Sequence, residues 1–170
     1  MSEKHEVIES FTEEHRKVRD TLMELVEAVK EDDVETARKK LEEIDELSGP
    51  HFRYEEETLY PALVEYFGEE QVIDLVKEHD EAIETARELD ELLHGETVPD
   101  EERGSIVQTV SPLLVHVSDC EGLTIYMEEM SDETLDRVAE SRERALEENA
   151  PLTEYAKEIR RSPEENLAAF

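Results

Sequence analysis

The sequence predicts an all-α protein: an antiparallel, up-down-up-down four-helix bundle with an additional C-terminal helix and tail. Three observations carry this. Apolar residues and histidines recur at intervals of three and four along four long stretches, which is the inward stripe of a bundle helix. No stretch sustains the period of two that a strand requires. The connections between stretches are short, which sets successive helices side by side and antiparallel.

The first stripe runs through Ile8, Phe11, His15, Val18, Leu22, Leu25 and Val29, and predicts a helix from about Glu3 to Lys30. After the acidic turn at Glu31 and Asp32 the stepping resumes through Ala37, Leu41, Ile44, Leu47, His51, Glu55 and Leu59. Gly49 and Pro50 stand inside this second helix. A proline there removes a hydrogen bond, so a kink just before His51, or a break into two shorter helices, is expected. Pro61 and Gly68 close the region. The third helix follows through Val72, Leu75, His79, Ala82, Ala86, Leu89 and Leu93, and Gly95 stands where a left-handed cap would end it. Asp100 is a candidate N-cap for the fourth helix, which is expected to run to about Met130. Ser131 is a second candidate cap, opening a shorter charged helix over Asp132 to about Glu148. Beyond Asn149, Leu152, Tyr155 and Ile159 between Pro151 and Pro163 predict a peripheral helix or a partly ordered tail. The expected division is a four-helix domain over 1–130 and a helical extension over 131–170.

Charge narrows the partners. Among 170 residues, 49 acids face 18 lysines and arginines, a formal charge of −31. Nucleic acid is excluded as a partner, because its binding requires phosphate neutralisation. No stretch approaches the roughly 20 apolar residues of a membrane span, and the start of the chain has no basic-then-apolar leader pattern, so the expectation is a soluble cytoplasmic protein. The single cysteine, Cys120, excludes an internal disulfide framework and multi-cysteine zinc sites.

The two halves of the bundle resemble each other. "EHRKVRDTLMEL" (14–25) aligns with "EHDEAIETAREL" (78–89), pairing Glu14 with Glu78 and His15 with His79. "HFRYEEETLY" aligns with "HVSDCEGLTIY", pairing His51 with His116 and Tyr60 with Tyr126. Each half thus supplies one histidine from its first helix, and a histidine followed by a carboxylate from its second. Residues four apart share a helix face, so His51 and Glu55 can reach one point in the interior. With His15, His79 and His116 arriving from the other helices, the centre would hold four imidazoles and at least two carboxylates. Clustered histidines and acids are costly to bury without a compensating partner, and imidazole mixed with carboxylate suits iron or manganese. Six ligands exceed the needs of one tetrahedral ion; two ions sharing carboxylates would use them all.

The pattern of His15, His51xxxGlu55, His79 and His116xxxxGlu121, with "EEETLYPAL" after the second histidine, resembles the hemerythrin family, in its microbial HHE cation-binding branch, over about residues 5–130. The resemblance implies a four-helix bundle around a non-heme di-iron centre, two iron ions with manganese or zinc as substitutes, that binds dioxygen. It implies that His15 and His51 bind one iron, that His79 and His116 bind the other, and that Glu55 and Glu121 bridge them. Two positions depart from the family pattern. Ile83 stands where a further histidine is usual, leaving one ion a ligand short, a place that water, Glu56 or an exogenous ligand could fill. Glu121 replaces the usual aspartate.

Five residues on a regular helix turn well off the starting face. His116 and Glu121 therefore converge only if a π-bulge lies between them; on a regular helix Asp119 or Cys120 takes the place. Tyr60 and Tyr126 are candidate hydrogen-bond donors behind the carboxylates or core aromatics. Arg19 is a candidate for holding an anion or, more simply, a surface side chain, and His5 and His94 are expected at the surface. With no phosphate-cradling glycine loop or nucleophile motif in the chain, any catalysis must come from the metal. The favoured function is binding or sensing of dioxygen, nitric oxide or peroxide, without turnover. The alternatives are an iron-handling or iron-sulfur cluster repair protein, an oxidase or peroxidase, and a structural bundle with zinc or no metal. The extension is a candidate contact for a homodimer or another protein.

Overall fold

The computed structural model describes residues 3–170, with side chains from Glu6 onward. Four long helices form the bundle: α1 (Glu3–Lys30), α2 (Val34–Tyr54), α3 (Glu69–Leu92) and α4 (Asp100–Glu121). α1 packs on α2 and α4, and α3 packs on the same two, so the helices close a four-sided ring with α1 and α3 at opposite corners. Short turns join α1 to α2 and α3 to α4, a run of short helical segments over residues 55–67 joins α2 to α3, and no strand occurs among the described residues. The up-down-up-down bundle expected from the stripes is the fold observed.

Apolar stripes fill the bundle from both ends. At one end Phe11, Tyr54, Leu59, Leu63, Val76 and Met127 pack together; at the other, Leu22, Leu25, Leu41, Leu89, Ile106 and Val110 do so. The histidines of the stripes fall between these two clusters. Burying such side chains contributes about 1.5–3 kcal/mol each, and this apolar packing is what holds a polar pocket in the middle.

The expected kink at Pro50 does not break α2, which runs unbroken from Val34 to Tyr54. The departure from α geometry comes after it, as a five-residue π turn over Glu55–Leu59. Two residues suit that turn. Thr58 donates its hydroxyl to the carbonyl of Tyr54, 2.8 Å away, and Pro61 just beyond has no amide hydrogen to continue the α ladder. Gly49 has a separate purpose: a Cβ there would collide with the backbone of Ala150, Pro151 and Leu152. The glycine lets the later chain cross directly over α2.

The fourth helix is shorter than expected. α4 stops at Glu121, and after Gly122 and Leu123 a separate turn covers Thr124–Glu129. Pro99, not Asp100, is its N-cap. Gly95 does not adopt a left-handed conformation; Gly68, with φ of 83°, is the glycine that does so among the described residues. At the end of α3 the carbonyls of Leu93 and Gly95 are instead taken by Arg38. Ser131 caps α5 (Asp132–Glu148) as expected, accepting from the Thr134 amide at 3.2 Å.

α5 lies across α2 and α1. Left-handed Asn149 (φ 47°) ends it, and the chain turns back over Gly49. Asp45 on α2 accepts from the Thr153 amide and hydroxyl at 2.9 and 3.1 Å. A second π turn over Tyr155–Ile159 and a last helix, α6 (Pro163–Ala169), follow. Tyr155 is buried to 1% exposure, so this segment enters the core.

Candidate metal centre

One position on each of the four long helices brings the four histidines together. His15 comes from α1, His51 from α2, His79 from α3 and His116 from α4. His15, His51 and His79 are buried to 4% exposure or less, and the His116 side chain is 11% exposed. The first residue of the π turn, Glu55, lies among them at 0% exposure. Its Oε1 is 3.0 Å from Nε2 of His51 and 3.5 Å from Nε2 of His15. Its Oε2 is 3.0 Å from Nε2 of His79. One carboxylate therefore faces two histidines with one oxygen and a third with the other, while His116 packs edge-on to His79 at 5.2 Å between ring centroids.

Every histidine is held from behind through Nδ1. His15 donates to the carbonyl of Phe11 at 2.8 Å, His51 to Glu14 at 2.8 Å, His79 to Glu56 at 2.8 Å and His116 to Glu78 at 2.7 Å. A proton fixed on Nδ1 leaves Nε2 as a lone-pair donor, and in all but His116 contacts to Glu55 show that this nitrogen turns inward. Such outward hydrogen bonds are the usual support of a metal-bound imidazole.

The donor set fits a cation. Nε2 of His15 and Nε2 of His51 approach to 3.2 Å, a contact of two acceptors unless a proton or metal ion lies on one of them. Oε1 of Glu55 has no hydrogen bond of acceptable angle, despite its nearness to His51. A buried carboxylate oxygen left so is expensive, and a bound cation removes the cost.

Without a metal the pocket gathers protons instead. Against the cost of burial, Glu55 and Glu14 hold the His51 imidazolium so that its pKa rises to about 10. Burial, and then the neighbouring His51 charge, push His15 down to about 4. Burial and the His79 charge lower His116 in the same way, while His79 itself is raised, against burial, by Glu55 and Glu56. Each pair thus has one imidazole that favours its proton and one that gives it up.

The structure brings His15, His51, Glu55, His79 and His116 together, and it places Glu121 elsewhere. The π-bulge expected between His116 and Glu121 does not form, because α4 stays α-helical to its end. Glu121 turns toward Arg19, 3.6 Å away, with a third of its side chain exposed. The regular helix puts Cys120 on the His116 face. Its Sγ is 3.6 Å from Nε2 of His116 and 3.8 Å from the Tyr60 hydroxyl, and it can offer a ligand atom within 4.8 Å of those of His15 and Glu55. Asp119 lies on the exposed side. The second departure, Ile83, is a buried residue packed with Phe52, Ala82 and Tyr155. Glu56 does not fill its place, since that carboxylate stands behind His79.

Of the tyrosines, Tyr60 reaches the centre, its hydroxyl 2.9 Å from Nε2 of His79 and 3.3 Å from Oε2 of Glu55. Tyr126 packs on Tyr66 and Phe67 instead. Arg19 pairs with Asp20 and Glu121 at the surface, and His94 is exposed. His5 lies outside the described side chains. Sequence reasoning missed the supports Glu14 and Glu78, although a signal was present: the Glu-His dipeptide that opens both repeats. In each half its glutamate holds the histidine of the next helix.

A mainly apolar cavity of about 40 Å³ reaches this centre from the Leu22 end, lined by Val18, Leu41, Ala82, Leu113 and Val117 and ending on Phe52 and His116. No helix among the described residues is long and apolar enough to cross a membrane.

Four imidazoles around a buried carboxylate in a helical bundle form a donor set suited to a cation. The model of the hemerythrin HHE cation-binding domain matches residues 6–118, and the chain belongs to that family. The match includes the four histidines and Glu55 and stops short of Cys120 and Glu121. No curated protein and no solved structure matches the chain.

Proposed function

We propose that this chain is a non-heme di-iron protein that binds or senses a small ligand: dioxygen, nitric oxide or peroxide. The observation that carries the reading is the division of histidines about Glu55. His15 and His51 would hold one ion, His79 and His116 the other, with Glu55 shared between them. A pair of iron ions in that place would supply reversible redox chemistry and a position open to a small molecule.

The chain's own residues do the rest. Phe52 stacks on His79 at 3.8 Å between centroids and, with Ala82 and Leu113, makes the inner side of His116 apolar, while on its outer side His116 borders a cavity lined by Glu78, Glu81 and Asp119. An apolar wall on one side and carboxylates on the other both favour a small uncharged ligand over an anion. The Tyr60 hydroxyl, between His79 and Glu55, is placed to donate a hydrogen bond to whatever enters. The Cys120 thiol stands 3.6 Å from Nε2 of His116, but burial pushes its pKa up and keeps it protonated, so binding is preferred over oxidase, peroxidase or iron-donating activity.

A second reading is favoured by Cys120. A thiol near His15 and Glu55 gives a set that also suits a single zinc ion. Metal analysis of the purified chain, with visible spectra of the reduced protein before and after air is admitted, separates the two. About two irons per chain and an oxygen-dependent band support the di-iron reading, and reversal of that band under vacuum marks binding without turnover. One zinc and no band, even after iron reconstitution, supports the other.

A further inference from the structure

We propose that the C-terminal segment completes the metal site from outside, and that Arg142 and Arg160 are positioning residues for the histidines His51 and His79. The inference rests on the metal reading above and goes beyond it, since both arginines lie outside the matched residues 6–118.

Two parallel chains of contacts carry it. Arg142 on α5 donates from Nε to Oε1 of Glu14 at 2.6 Å, and the other oxygen of Glu14 holds Nδ1 of His51. Arg160, after the second π turn, donates to both oxygens of Glu56 at 2.9–3.2 Å, and Glu56 holds Nδ1 of His79. The Tyr155 hydroxyl is a third partner of Glu56, donating at 2.7 Å. Each proposed ion therefore has one histidine whose supporting carboxylate is locked by an arginine from beyond residue 131. His15 and His116 have no such lock: a backbone carbonyl supports one, and the half-exposed Glu78 supports the other.

The chemistry follows from charge. A carboxylate pinned by guanidinium is fixed in place and draws less strongly on the imidazole proton. Nδ1–H then stays on the ring, and the ring keeps the orientation that aims Nε2 inward. The docking is built into α2 as well, because Gly49 admits the backbone of Ala150–Leu152 at a distance no side chain permits. It follows that metal binding and seating of the segment strengthen each other.

The test uses the full chain titrated with cobalt(II), whose visible spectrum reports ligand number and geometry. Arg160→Gln and Arg142→Gln are expected to weaken cobalt binding tenfold or more and to alter the spectrum, with Arg160→Lys recovering part of the loss. Tyr155→Phe removes one hydroxyl and little volume, so it gives the same answer, in smaller degree, if an arginine variant fails to fold. Arg161→Gln, which changes an arginine 46% exposed and paired with Glu57, should leave both readouts unchanged. Cobalt should also slow amide exchange over residues 152–160 in the wild-type chain. Wild-type affinity and spectrum in both glutamine variants overturn the inference, as does an equal loss in Arg161→Gln. A wild-type chain that binds neither cobalt, iron nor zinc overturns the metal reading itself, and this inference with it.

Discussion

Glu55 has two oxygens and meets three imidazole nitrogens within 3.5 Å. That makes it the residue on which the centre depends most. Glu55→Gln keeps the shape, removes the charge and places an amide N–H among lone pairs. We expect metal affinity to fall by at least tenfold in a cobalt or iron titration; an unchanged affinity would mean the histidines alone define the site. Glu14 makes a second prediction, for the chelator-treated chain. Against the cost of burial, His51, Tyr54 and Arg142 hold its pKa down from 4.5 to about 2. A depressed carboxylate pKa contributes stability that is complete above the unfolded value and is lost as pH falls through the folded one. Between pH 5 and pH 2 the wild type should therefore lose about 3 kcal/mol more than Glu14→Gln, as read from urea unfolding at several pH values. Equal slopes would show that Glu14 gains nothing from its partners. At this scale the sequence made the clustered histidines legible because histidines in an apolar stripe violate its pattern. Arg142 and Arg160 were not legible, since an arginine in a charged stretch carries no periodic signal of what it will meet, and the apolar pattern that marks Tyr155 gives no sign that its hydroxyl meets Glu56.

The elements were legible where periodicity was strong, and α1 runs over the residues its stripe marks. Irregular turns were not. A π turn was expected in the fourth helix from the His116–Glu121 spacing, but it lies in the second, where a threonine hydroxyl and a proline make its missing backbone bonds tolerable. The glycine-proline pair in α2 reads locally as a break, yet the helix continues and the glycine serves a contact a hundred residues away. Local sequence cannot tell these cases apart, because the deciding partner is tertiary. Gly49→Ala is the direct test. The added methyl must displace the Ala150–Leu152 backbone, which should cost about 1–3 kcal/mol in chemical denaturation and open residues 150–160 to proteolysis. A variant as stable and protease-resistant as the wild type would show that the crossing can relax freely.

The whole molecule carries its charge of −31 over a bundle with a polar centre, and these features act in opposite directions on stability. Self-repulsion among surface acids weakens the compact state and is screened within about 10 Å at 0.1 M salt. Raising sodium chloride from 0.05 to 1 M should accordingly raise the melting temperature of the metal-free chain. A fall would mean that its surface ion pairs, such as Lys39–Glu35 and Lys77–Asp74, outweigh the repulsion. Cation binding adds to stability by mass action, about 2.7 kcal/mol when free metal is a hundred times the dissociation constant.

The order of residues along the chain also sets a timetable. His116, the last of the four histidines, leaves the ribosome well before Arg142 and Arg160, which pin the carboxylates from outside. At roughly 5–20 residues per second of synthesis the interval is a matter of seconds, long beside the microseconds in which helices form. During synthesis the imidazoles can therefore gather while the outer wall is still unmade. Until Arg142 and Arg160 emerge, Glu14 and Glu56 hold their histidines without a guanidinium partner.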